Sequence, residues 1–316
     1  MMGTRTLSRR QFGQLCATFG ASLPAVSAPF PARAAGPERA SKRAARSVKF
    51  RDGIAVPALG QGSMRLGQGN RSEALEEEAV RTGVALGMTL IDTAELYGSG
   101  RSEEFIGRAI AGQRDRVFLV SKILPGHAKK DGIAEACDAS LARLGTNHLD
   151  LYLLHWREND TDLKDIVTAF ENLKAAGKIR AWGVSNFGVK DMEELVQVPH
   201  GDRCVTNQVL YSMADRGIER TLLPWCERHG MPVMAYTPLG GGSNLLRDPA
   251  LTRIAADHGC SAAAVALAWV IRGGNVIAIP ESGSMAHVKE NAVALSLVLT
   301  AHDLEALEQA YPVSQK

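Results

Sequence analysis

The amino-acid sequence predicts a (β/α)8 TIM barrel preceded by an N-terminal β-hairpin. Three observations lead to this fold class. Eight short runs alternate with segments of helical periodicity, the pattern of parallel βαβ units. The runs are apolar along their length, as expected of strands that are covered on both faces. The units together extend over about 270 residues, which is close to the usual size of such a barrel.

The N-terminal hairpin is predicted for residues 48–56. Two short strand-like runs flank the pair Asp52-Gly53 there. Asp-Gly favours the tight turn that joins two antiparallel strands. The hairpin stands before the first βα unit, so we do not count it among the eight barrel strands.

The barrel strands are predicted at residues 58–62, 89–93, 117–122, 149–155, 181–185, 205–209, 233–236 and 276–279. Helical periodicity lies between them, for example at residues 72–86, 102–111, 133–144, 163–176, 192–198, 218–229 and 261–271. Glycine follows the last turn of several of these helices, as is typical of helix ends. The alternative is an open doubly wound sheet, but no G-x-G-x-x-G motif follows the first strand.

The N-terminus has the three parts of a signal peptide. A basic start with Arg9-Arg10 before Phe12 leads into an apolar stretch at residues 15–28, and an Ala-rich end follows. The adjacent arginines resemble a twin-arginine export signal. The stretch is too short and too rich in Gly, Ser and Pro for stable membrane insertion. A basic tail without a targeting role, or a misassigned start codon, is the alternative.

We therefore expect a twin-arginine-type signal peptide at residues 1–34, a basic linker at 35–47 and the barrel at 48–316. Export would make the twin-arginine machinery a transient partner and the protein periplasmic or secreted. Without export the protein would be cytoplasmic. Because twin-arginine substrates cross the membrane folded, a bound cofactor could travel with the protein.

Composition excludes several function classes. The chain is 45% hydrophobic and 22% charged, as in soluble globular proteins. Its net charge of +2 depends on four arginines within residues 1–34, so the rest is mildly acidic and no nucleic-acid partner is expected. Five cysteines form no C-x-x-C pair, and no H-E-x-x-H occurs, so we expect no metal. We expect a monomer.

Four titratable side chains stand at the ends of three neighbouring predicted strands. Asp92 and Tyr97 follow strand two, Lys122 ends strand three and His155 ends strand four. In a TIM barrel the C-terminal strand ends share one face, where the chemistry takes place. Each residue alone has an ordinary structural explanation, such as a turn cap or a core histidine. Their convergence at one face favours catalysis.

The four groups suit the reduction of a carbonyl, which needs hydride at carbon and a proton at oxygen. A tyrosine is a weak acid, and a neighbouring ammonium makes it a stronger one. Asp92 would hold Lys122 charged and in place, so that Tyr97 can act as the general acid. His155 would donate a hydrogen bond that orients the carbonyl. General-acid help of this kind is worth roughly 10²–10⁴ in rate.

The motifs around these residues resemble the aldo-keto reductase family, and within it the bacterial methylglyoxal and 2,5-diketogluconate reductases. The matching runs are Ile91-Asp92-Thr93-Ala94-Glu95-Leu96-Tyr97-Gly98, Val120-Ser121-Lys122, Leu154-His155-Trp156 and Gly183-Val184-Ser185-Asn186-Phe187. The resemblance extends over residues 48–311. It implies a (β/α)8 barrel, a cofactor that binds before the substrate, and a catalytic tetrad of Asp92, Tyr97, Lys122 and His155.

The resemblance also implies a nicotinamide dinucleotide, NADPH or NADH. Its carboxamide would be held by Ser185, Asn186 and Gln208, and Tyr236 would stack on its ring. The pyrophosphate would meet Thr237, Leu239 and Gly240. Gly240-Gly241-Gly242 alone could equally be a flexible loop. The adenosine end would meet Ser282, His287 and Asn291.

The segment after strand eight departs from the family pattern. Many members read Ile-Pro-Lys-Ser with a later Arg, and this pair of cations suits a 2′-phosphate. Here the run is Ile279-Pro280-Glu281-Ser282, with His287 at the Arg position. A carboxylate can instead accept hydrogen bonds from a ribose diol, which would favour NADH. Glu281 could also turn to solvent, so the choice of dinucleotide stays open.

The expected substrate is a small carbonyl compound, with Met64 and Trp156 as walls of its pocket. Many family members have Trp where Met64 stands, and methionine gives a more adaptable wall. Arg65 could attract an acidic substrate or lie in solvent. Two other functions stay open: a non-catalytic nicotinamide-dinucleotide-binding regulatory module, and a cofactor-free sugar-binding or isomerase barrel.

Overall fold

The computed structural model describes residues 46–129 and 132–313. The predicted signal peptide, residues 1–34, lies outside the described residues, and so does nearly all of the linker predicted at 35–47. Among the helices of the described ranges, none combines the length and the apolar character needed to span a bilayer.

The chain enters the described fold through the predicted hairpin. Strands β1 (Ser47–Lys49) and β2 (Ala55–Pro57) are antiparallel, with Val48 opposite Val56. Gly53 at the turn has a φ of 92°, a conformation that favours glycine. The hairpin prediction is confirmed, and the Asp-Gly pair forms its turn.

The hairpin packs against the end of the barrel at which the strands begin. Phe50 follows β1 and is almost completely buried. Its ring stacks on Phe118, with 5.6 Å between the centroids. Phe118 is the first residue of strand β5, so the hairpin covers the face opposite to the carboxyl ends of the strands.

Eight parallel strands follow in sequence order and form one sheet: β3 (Gln61–Gly62), β4 (Leu90–Asp92), β5 (Phe118–Ile123), β6 (Leu149–Leu154), β7 (Ile179–Ser185), β8 (Asn207–Leu210), β9 (Val233–Tyr236) and β10 (Val276–Ile279). Each strand pairs with the next along the chain. This is the topology of a (β/α)8 barrel, as the sequence predicted.

Contacts between β3 and β10 close the barrel. Leu59 bridges to Ala278 and Gly62 bridges to Glu281, both in parallel sense. The N–H of Gly62 donates to Pro280 O across 3.0 Å. A Cβ on Gly62 would lie 3.0 Å from a backbone oxygen of β10, so glycine permits this close approach. The first strand is shorter than the predicted 58–62, because its pairing near Leu59 is an isolated bridge.

Ten helices surround the barrel in the described part of the chain: α1 (Glu73–Ala85), α2 (Arg101–Ala109), α3 (Gly132–Leu144), α4 (Leu163–Ala175), α5 (Val189–Gln197), α6 (Leu222–Arg228), α7 (Pro249–Asp257), α8 (Ala262–Val270), α9 (Met285–Ala292) and α10 (Ala301–Ala310). Seven correspond to predicted helices, whereas α7, α9 and α10 were not among them. Helix α6 is shorter than the predicted 218–229, because a 3-10 turn at Gly217–Arg220 precedes it.

The strands form the centre of the core. Every residue of β4, β6 and β10 is buried. Burial of an ionised group costs several kcal/mol unless that group is paired, so charged residues are rare in such strands. Asp92 and Lys122 are exceptions in β4 and β5, and both lie near the carboxyl ends of their strands.

Candidate active site

A cavity of about 480 Å³ opens at the carboxyl ends of the barrel strands. The sequence-predicted site residues that line it are Met64, Asp92, Tyr97, His155, Ser185, Asn186, Gln208, Tyr236, Thr237 and Leu239. These residues come from the ends of β3, β4, β6, β7, β8 and β9 or from the loops after them. Parallel strands bring their carboxyl ends to one face, and this is why distant segments of the sequence meet here.

Lys122 lies at the centre of the predicted tetrad and is fully buried. Its Nζ donates to Asp92 Oδ2 across 2.6 Å, to Thr93 O across 2.8 Å and to Tyr97 Oη across 3.1 Å. Lys122 lies behind Tyr97 and does not line the cavity. Two of its hydrogen-bond partners, Asp92 and Tyr97, do line the cavity, so Lys122 can act on a bound molecule through them.

Tyr97 is held in place by a short turn after β4. A 3-10 helix covers Tyr97–Gly100, and the N–H of Tyr97 donates to Ala94 O. Gly98 and Ser99 follow with φ values of 59° and 56°, so the chain leaves the turn in a left-handed conformation. Tyr97 as a whole residue is 8% exposed, and it lines the cavity.

His155 lies directly after β6 and forms the other side of the reacting region. Its ring contacts that of Tyr97 edge to face, with 5.8 Å between the centroids. The indole of Trp156 lies 5.0 Å from the same imidazole, centroid to centroid. Trp156 was predicted as a pocket wall, but it does not line the cavity and supports His155 through this ring contact.

Burial sets the protonation behaviour of these groups. It raises the pKa of the Asp92 carboxyl, while the Lys122 ammonium and the Gln208 amide counteract it. Burial also lowers the pKa of Lys122, and the carboxylate of Asp92 opposes this. For His155, burial and the nearby positive charge of Lys122 both hold the pKa well below its ordinary value. His155 is therefore neutral near pH 7 and can donate a single N–H.

Ser185, Asn186 and Tyr236 form a connected hydrogen-bond network along one wall. Ser185 Oγ donates to the backbone oxygen of Gln208 across 2.8 Å. Asn186 Nδ2 donates to His155 O, and Tyr236 Oη donates to Asn186 Oδ1. Asn186 has a φ of 60°, which asparagine tolerates better than most residues. The network connects two residues that the family resemblance assigns to the carboxamide, Ser185 and Asn186, with the one that it assigns to the nicotinamide ring, Tyr236, and all three line the cavity.

The loop after β9 covers another side of the cavity. Thr237, Leu239, Gly241 and Gly242 line it, whereas Gly240 does not. Gly240 instead forms the turn, with a φ of 76° and no room for a Cβ, which would lie 2.4 Å from Ser243 Oγ. Sequence reasoning did not include further lining residues of this loop, namely Ser243, Asn244, Leu246 and Arg247. The glycine run was the signal for them.

The predicted adenosine contacts lie beyond this cavity. Ser282 is half-buried and its Oγ donates to Ser284 O across 3.3 Å. His287 is exposed on α9, and Asn291 is buried on the same helix. None of the three lines the cavity, whereas Glu281 does. The structure thus brings the nicotinamide-side residues together and places these three farther along the segment after β10.

Glu281 is paired with Arg65 across the seam that closes the barrel. Its Oε2 accepts from the backbone N–H of Arg65 across 2.7 Å, and its Oε1 accepts from Arg65 Nε across 2.9 Å. Both residues line the cavity. Each residue stands out in the sequence by itself, but their pairing does not, because they stand 216 positions apart.

Glu95 is a second contact that sequence reasoning missed. Its carboxylate is largely buried and accepts from the N–H of Leu124 across 2.7 Å. It also lies 3.1 Å from Nδ1 of His127. These contacts join the loop that carries Tyr97 to the loop after β5. The position of Glu95 within the motif around Tyr97 was the available signal.

The polar groups of the cavity fit a nicotinamide dinucleotide. Donors and acceptors for a carboxamide lie beside Tyr97 and His155, and the glycine-rich loop offers backbone close to the same opening. In the described ranges, no group of three or more His, Cys, Asp or Glu side chains could hold a metal ion.

Comparison with known proteins decides the family. The family model for the aldo/keto reductase family matches residues 58–312. The chain belongs to the aldo/keto reductase family. It is an NAD(P)H-dependent oxidoreductase with the (β/α)8 barrel of that family.

Individual relatives agree with this assignment. Methylglyoxal reductase YeaE of Escherichia coli is 46% identical over 271 residues, covering 84% of this chain and 95% of that protein. Glyoxal reductase of Bacillus subtilis is 34% identical over 265 residues, which cover 83% of this chain and 91% of that protein. An aldo-keto reductase of Klebsiella pneumoniae solved in complex with NADPH is 46% identical. Its TM-score is 0.84, with 87% of this chain and 98% of that chain covered.

Proposed function

We propose that the enzyme uses NADPH to reduce small aldehydes and ketones to alcohols, and that 2-oxoaldehydes such as methylglyoxal are its substrate class. The observation that carries this proposal is the contact of Tyr97 Oη with Lys122 Nζ at 3.1 Å, beside the cavity and opposite His155. The similarity to a methylglyoxal reductase and a glyoxal reductase supports the substrate class.

Each residue of the tetrad has a role that follows from its position. When a nicotinamide dinucleotide is bound, it would supply the hydride that the carbonyl carbon needs. Tyr97 faces the cavity and gives its proton to the carbonyl oxygen. Lys122 contacts the phenol oxygen and stabilises the phenolate that remains, while Asp92 holds Lys122 in place. The neutral imidazole of His155 donates a hydrogen bond that orients the same oxygen.

The Arg65–Glu281 pair bears on the choice between NADPH and NADH. Glu281 would favour NADH if its carboxylate were available to a ribose diol. Both of its oxygens accept hydrogen bonds from Arg65 instead, so Glu281 gives little support to NADH. The K. pneumoniae relative was solved with NADPH, which supports the same choice for this enzyme. Ser282 and His287 would then meet the 2′-phosphate.

Loss of NADPH absorbance with a panel of aldehydes, ketones and sugar acids tests the proposed activity. We expect turnover with 2-oxoaldehydes and a fall in kcat of roughly 10²–10⁴ in Tyr97→Phe, with dinucleotide binding retained. A protein that binds NADPH but turns over none of these compounds would be the non-catalytic regulatory module. A barrel that binds no dinucleotide would show no cofactor-dependent rise in Tm.

Glu281→Lys tests the cofactor assignment. The substitution restores the residue that many family members have there and removes the partner of Arg65. We expect kcat/KM for NADPH relative to NADH to rise. An unchanged ratio would mean that position 281 does not read the phosphate.

We also propose that the protein is exported through the twin-arginine pathway and works as a periplasmic or secreted monomer. Arg9-Arg10 before an apolar stretch supports this. Cell fractionation with N-terminal sequencing tests it, and we expect cleavage after Ala34 within a few residues. An uncleaved protein confined to the cytoplasm would contradict export. Light scattering measures the molar mass of the mature protein in solution, and we expect the mass of a monomer.

A further inference from the structure

Glu103 is a buried carboxylate that the proposed chemistry does not use. It lies in the first turn of α2, directly after the turn that carries Tyr97, and it is fully buried. Its Oε1 accepts from Ser121 Oγ across 2.6 Å, and its Oε2 accepts from Arg143 Nε across 2.6 Å. A buried ion pair often stabilises a fold no better than apolar side chains would. Its position in the molecule is therefore informative.

The bond from Ser121 to Glu103 joins the two segments that meet at the phenol of Tyr97. Ser121 precedes Lys122 in β5 and is fully buried. Successive side chains of a strand point to opposite faces, so Lys122 faces the interior of the barrel while Ser121 faces the helices. Glu103 is thereby tied to the strand directly behind Lys122. The chain from Tyr97 to Glu103, this bond and the contact of Tyr97 with Lys122 form a closed ring.

Arg143 packs against the turn that carries Tyr97. A Cβ on Gly100, the last residue of the turn, would lie 2.6 Å from Cδ of Arg143, so the arginine side chain lies directly against this residue. The turn has left-handed φ values of 59° at Gly98, 56° at Ser99 and 91° at Gly100. The ion pair of Arg143 with Glu103 therefore fixes this irregular turn relative to α3.

The contact of Lys122 with Tyr97 is the longest of the three that its Nζ makes. It measures 3.1 Å, against 2.6 Å to Asp92 and 2.8 Å to Thr93. Hydrogen bonds weaken as they lengthen, so a displacement of the turn would disrupt the contact with Tyr97 first. Burial lowers the pKa of Lys122, and the negative charges of Asp92 and Glu103 oppose this. Glu103 thus acts on the Lys122 side as well as on the Tyr97 side.

We propose that Glu103 is a positioning residue for the proposed reaction, and that its bond to Ser121 holds Tyr97 within hydrogen-bond distance of Lys122. This inference rests on the proposed function, in which Tyr97 is the acid. Glu103 does not line the cavity and touches neither substrate nor dinucleotide. Loss of the bond displaces the phenol and leaves the dinucleotide site intact. The effect should therefore fall on kcat and not on the binding of NADPH.

Ser121→Ala is the decisive variant, because it removes only a hydroxyl and leaves the charges of Glu103 and Arg143 in place. With methylglyoxal and NADPH, kcat should fall about tenfold or more, since a small misplacement of a reacting group is costly. The Kd for NADPH, measured by fluorescence titration, should not change. A phenol farther from an ammonium is a weaker acid, so the pH above which kcat declines should move upward. A lower Tm with wild-type kcat and pH profile would overturn the proposal.

The pH profile of Ser121→Ala reports the contact of Tyr97 because the surrounding charges are unchanged. Titratable groups that interact with Glu103 come from three elements packed around it, namely Lys122 of β5, Cys137 and Arg143 of α3, and Tyr152 of β6. All of them are present in this variant.

Two substitutions of Glu103 separate its bond from its charge. In Glu103→Gln the amide can donate to Ser121 Oγ and accept from Arg143, so the link persists and kcat should stay near the wild-type value. Glu103→Ala should lower kcat as Ser121→Ala does. The double variant should be no slower than the slower single variant, because both remove the same bond. An equal loss in Glu103→Gln and Glu103→Ala would assign the effect to the charge and overturn the proposal.

Thr206→Val is the matched control for loss of a buried hydroxyl. Thr206 is fully buried, and its Oγ1 donates to Pro232 O across 2.8 Å. Its Tm should fall while kcat stays at the wild-type value. A loss of kcat equal to that of Ser121→Ala would overturn the proposal. A wild type that reduces no carbonyl compound overturns the proposed function and this inference with it, whereas an active wild type with an unchanged Ser121→Ala overturns this inference alone.

Discussion

The carboxylate of Glu281 binds both the backbone and the side chain of Arg65, across the seam where the barrel closes. The two bonds measure 2.7 Å to the backbone N–H and 2.9 Å to Nε. The pair fixes the loop that carries Met64, which lines the cavity. It also leaves the mouth of the cavity close to electrical neutrality at this point. A residue that would repel a phosphate is thus balanced by its own partner.

Arg65→Gln should reduce the preference for NADPH over NADH severalfold, because Glu281 then lacks its counter-charge and repels the 2′-phosphate. The Tm should change little, since the Arg65 side chain is 47% exposed and exposed ion pairs contribute only about 0–1 kcal/mol. Steady-state kinetics with both dinucleotides measure the effect. Glu281→Gln is the matched control and should move the ratio in the opposite direction. A shift of both variants in the same direction would contradict this account.

Lys122→Met should lower kcat by roughly 10²–10⁴, because Tyr97 loses the ammonium that stabilises its phenolate. It should also destabilise the fold by about 3–5 kcal/mol at neutral pH, since the buried Asp92 loses its counter-charge. Chemical denaturation measures the second effect. The stability deficit should shrink at acidic pH, where the carboxyl is protonated. A deficit independent of pH would argue against an ionised Asp92.

The neutral state of His155 should make stability depend on pH. Burial and Lys122 hold the pKa of the imidazole well below its unfolded value of 6.5. Between the folded and the unfolded pKa, the unfolded chain binds more protons, so stability is lost as the pH falls through this window. We expect the Tm to drop between about pH 7 and about pH 5, and to drop less in His155→Gln. Equal slopes in the two proteins would show that another group titrates.

Gly240→Ala should weaken dinucleotide binding. Its φ of 76° disfavours alanine, and the added Cβ would lie 2.4 Å from Ser243 Oγ in a loop that lines the cavity. Gly112→Ala is the control, because its φ of 77° carries the same strain with nothing within 4 Å. Both should lose about 1–2 kcal/mol of stability. Only Gly240→Ala should raise the Kd for NADPH, and a similar Kd change in both variants would contradict a role for this loop.

Much of the fold could be predicted because its signals are local. The run at 233–236 and the run at 276–279 coincide with β9 and β10. The hairpin likewise follows from a local signal, because the adjacent residues Asp52 and Gly53 form its turn. The bounds of the first strand differ from the predicted 58–62. Closure of the barrel, and not local propensity, decides which of these residues pair.

The tetrad was foreseeable for a related reason. Once eight alternating units predict a barrel, the position of a residue at a strand end is enough to place it on the catalytic face. The orientation of Trp156 did not follow from such a rule. Its indole packs against the imidazole of His155, and Trp156 is not among the residues that line the cavity.

The sequence by itself determined the barrel, the residues at its strand ends and the chemistry that these residues can perform. Only the tertiary structure decided that Glu281 binds Arg65 and that Gln208 binds Asp92, over separations of 216 and 116 positions. Local propensity depends on neighbours within a few residues, whereas these contacts exist only when the sheet closes and brings distant strand ends within 3 Å. The sequence therefore shows an acidic residue at position 281, and only the structure shows that its carboxylate is paired with Arg65.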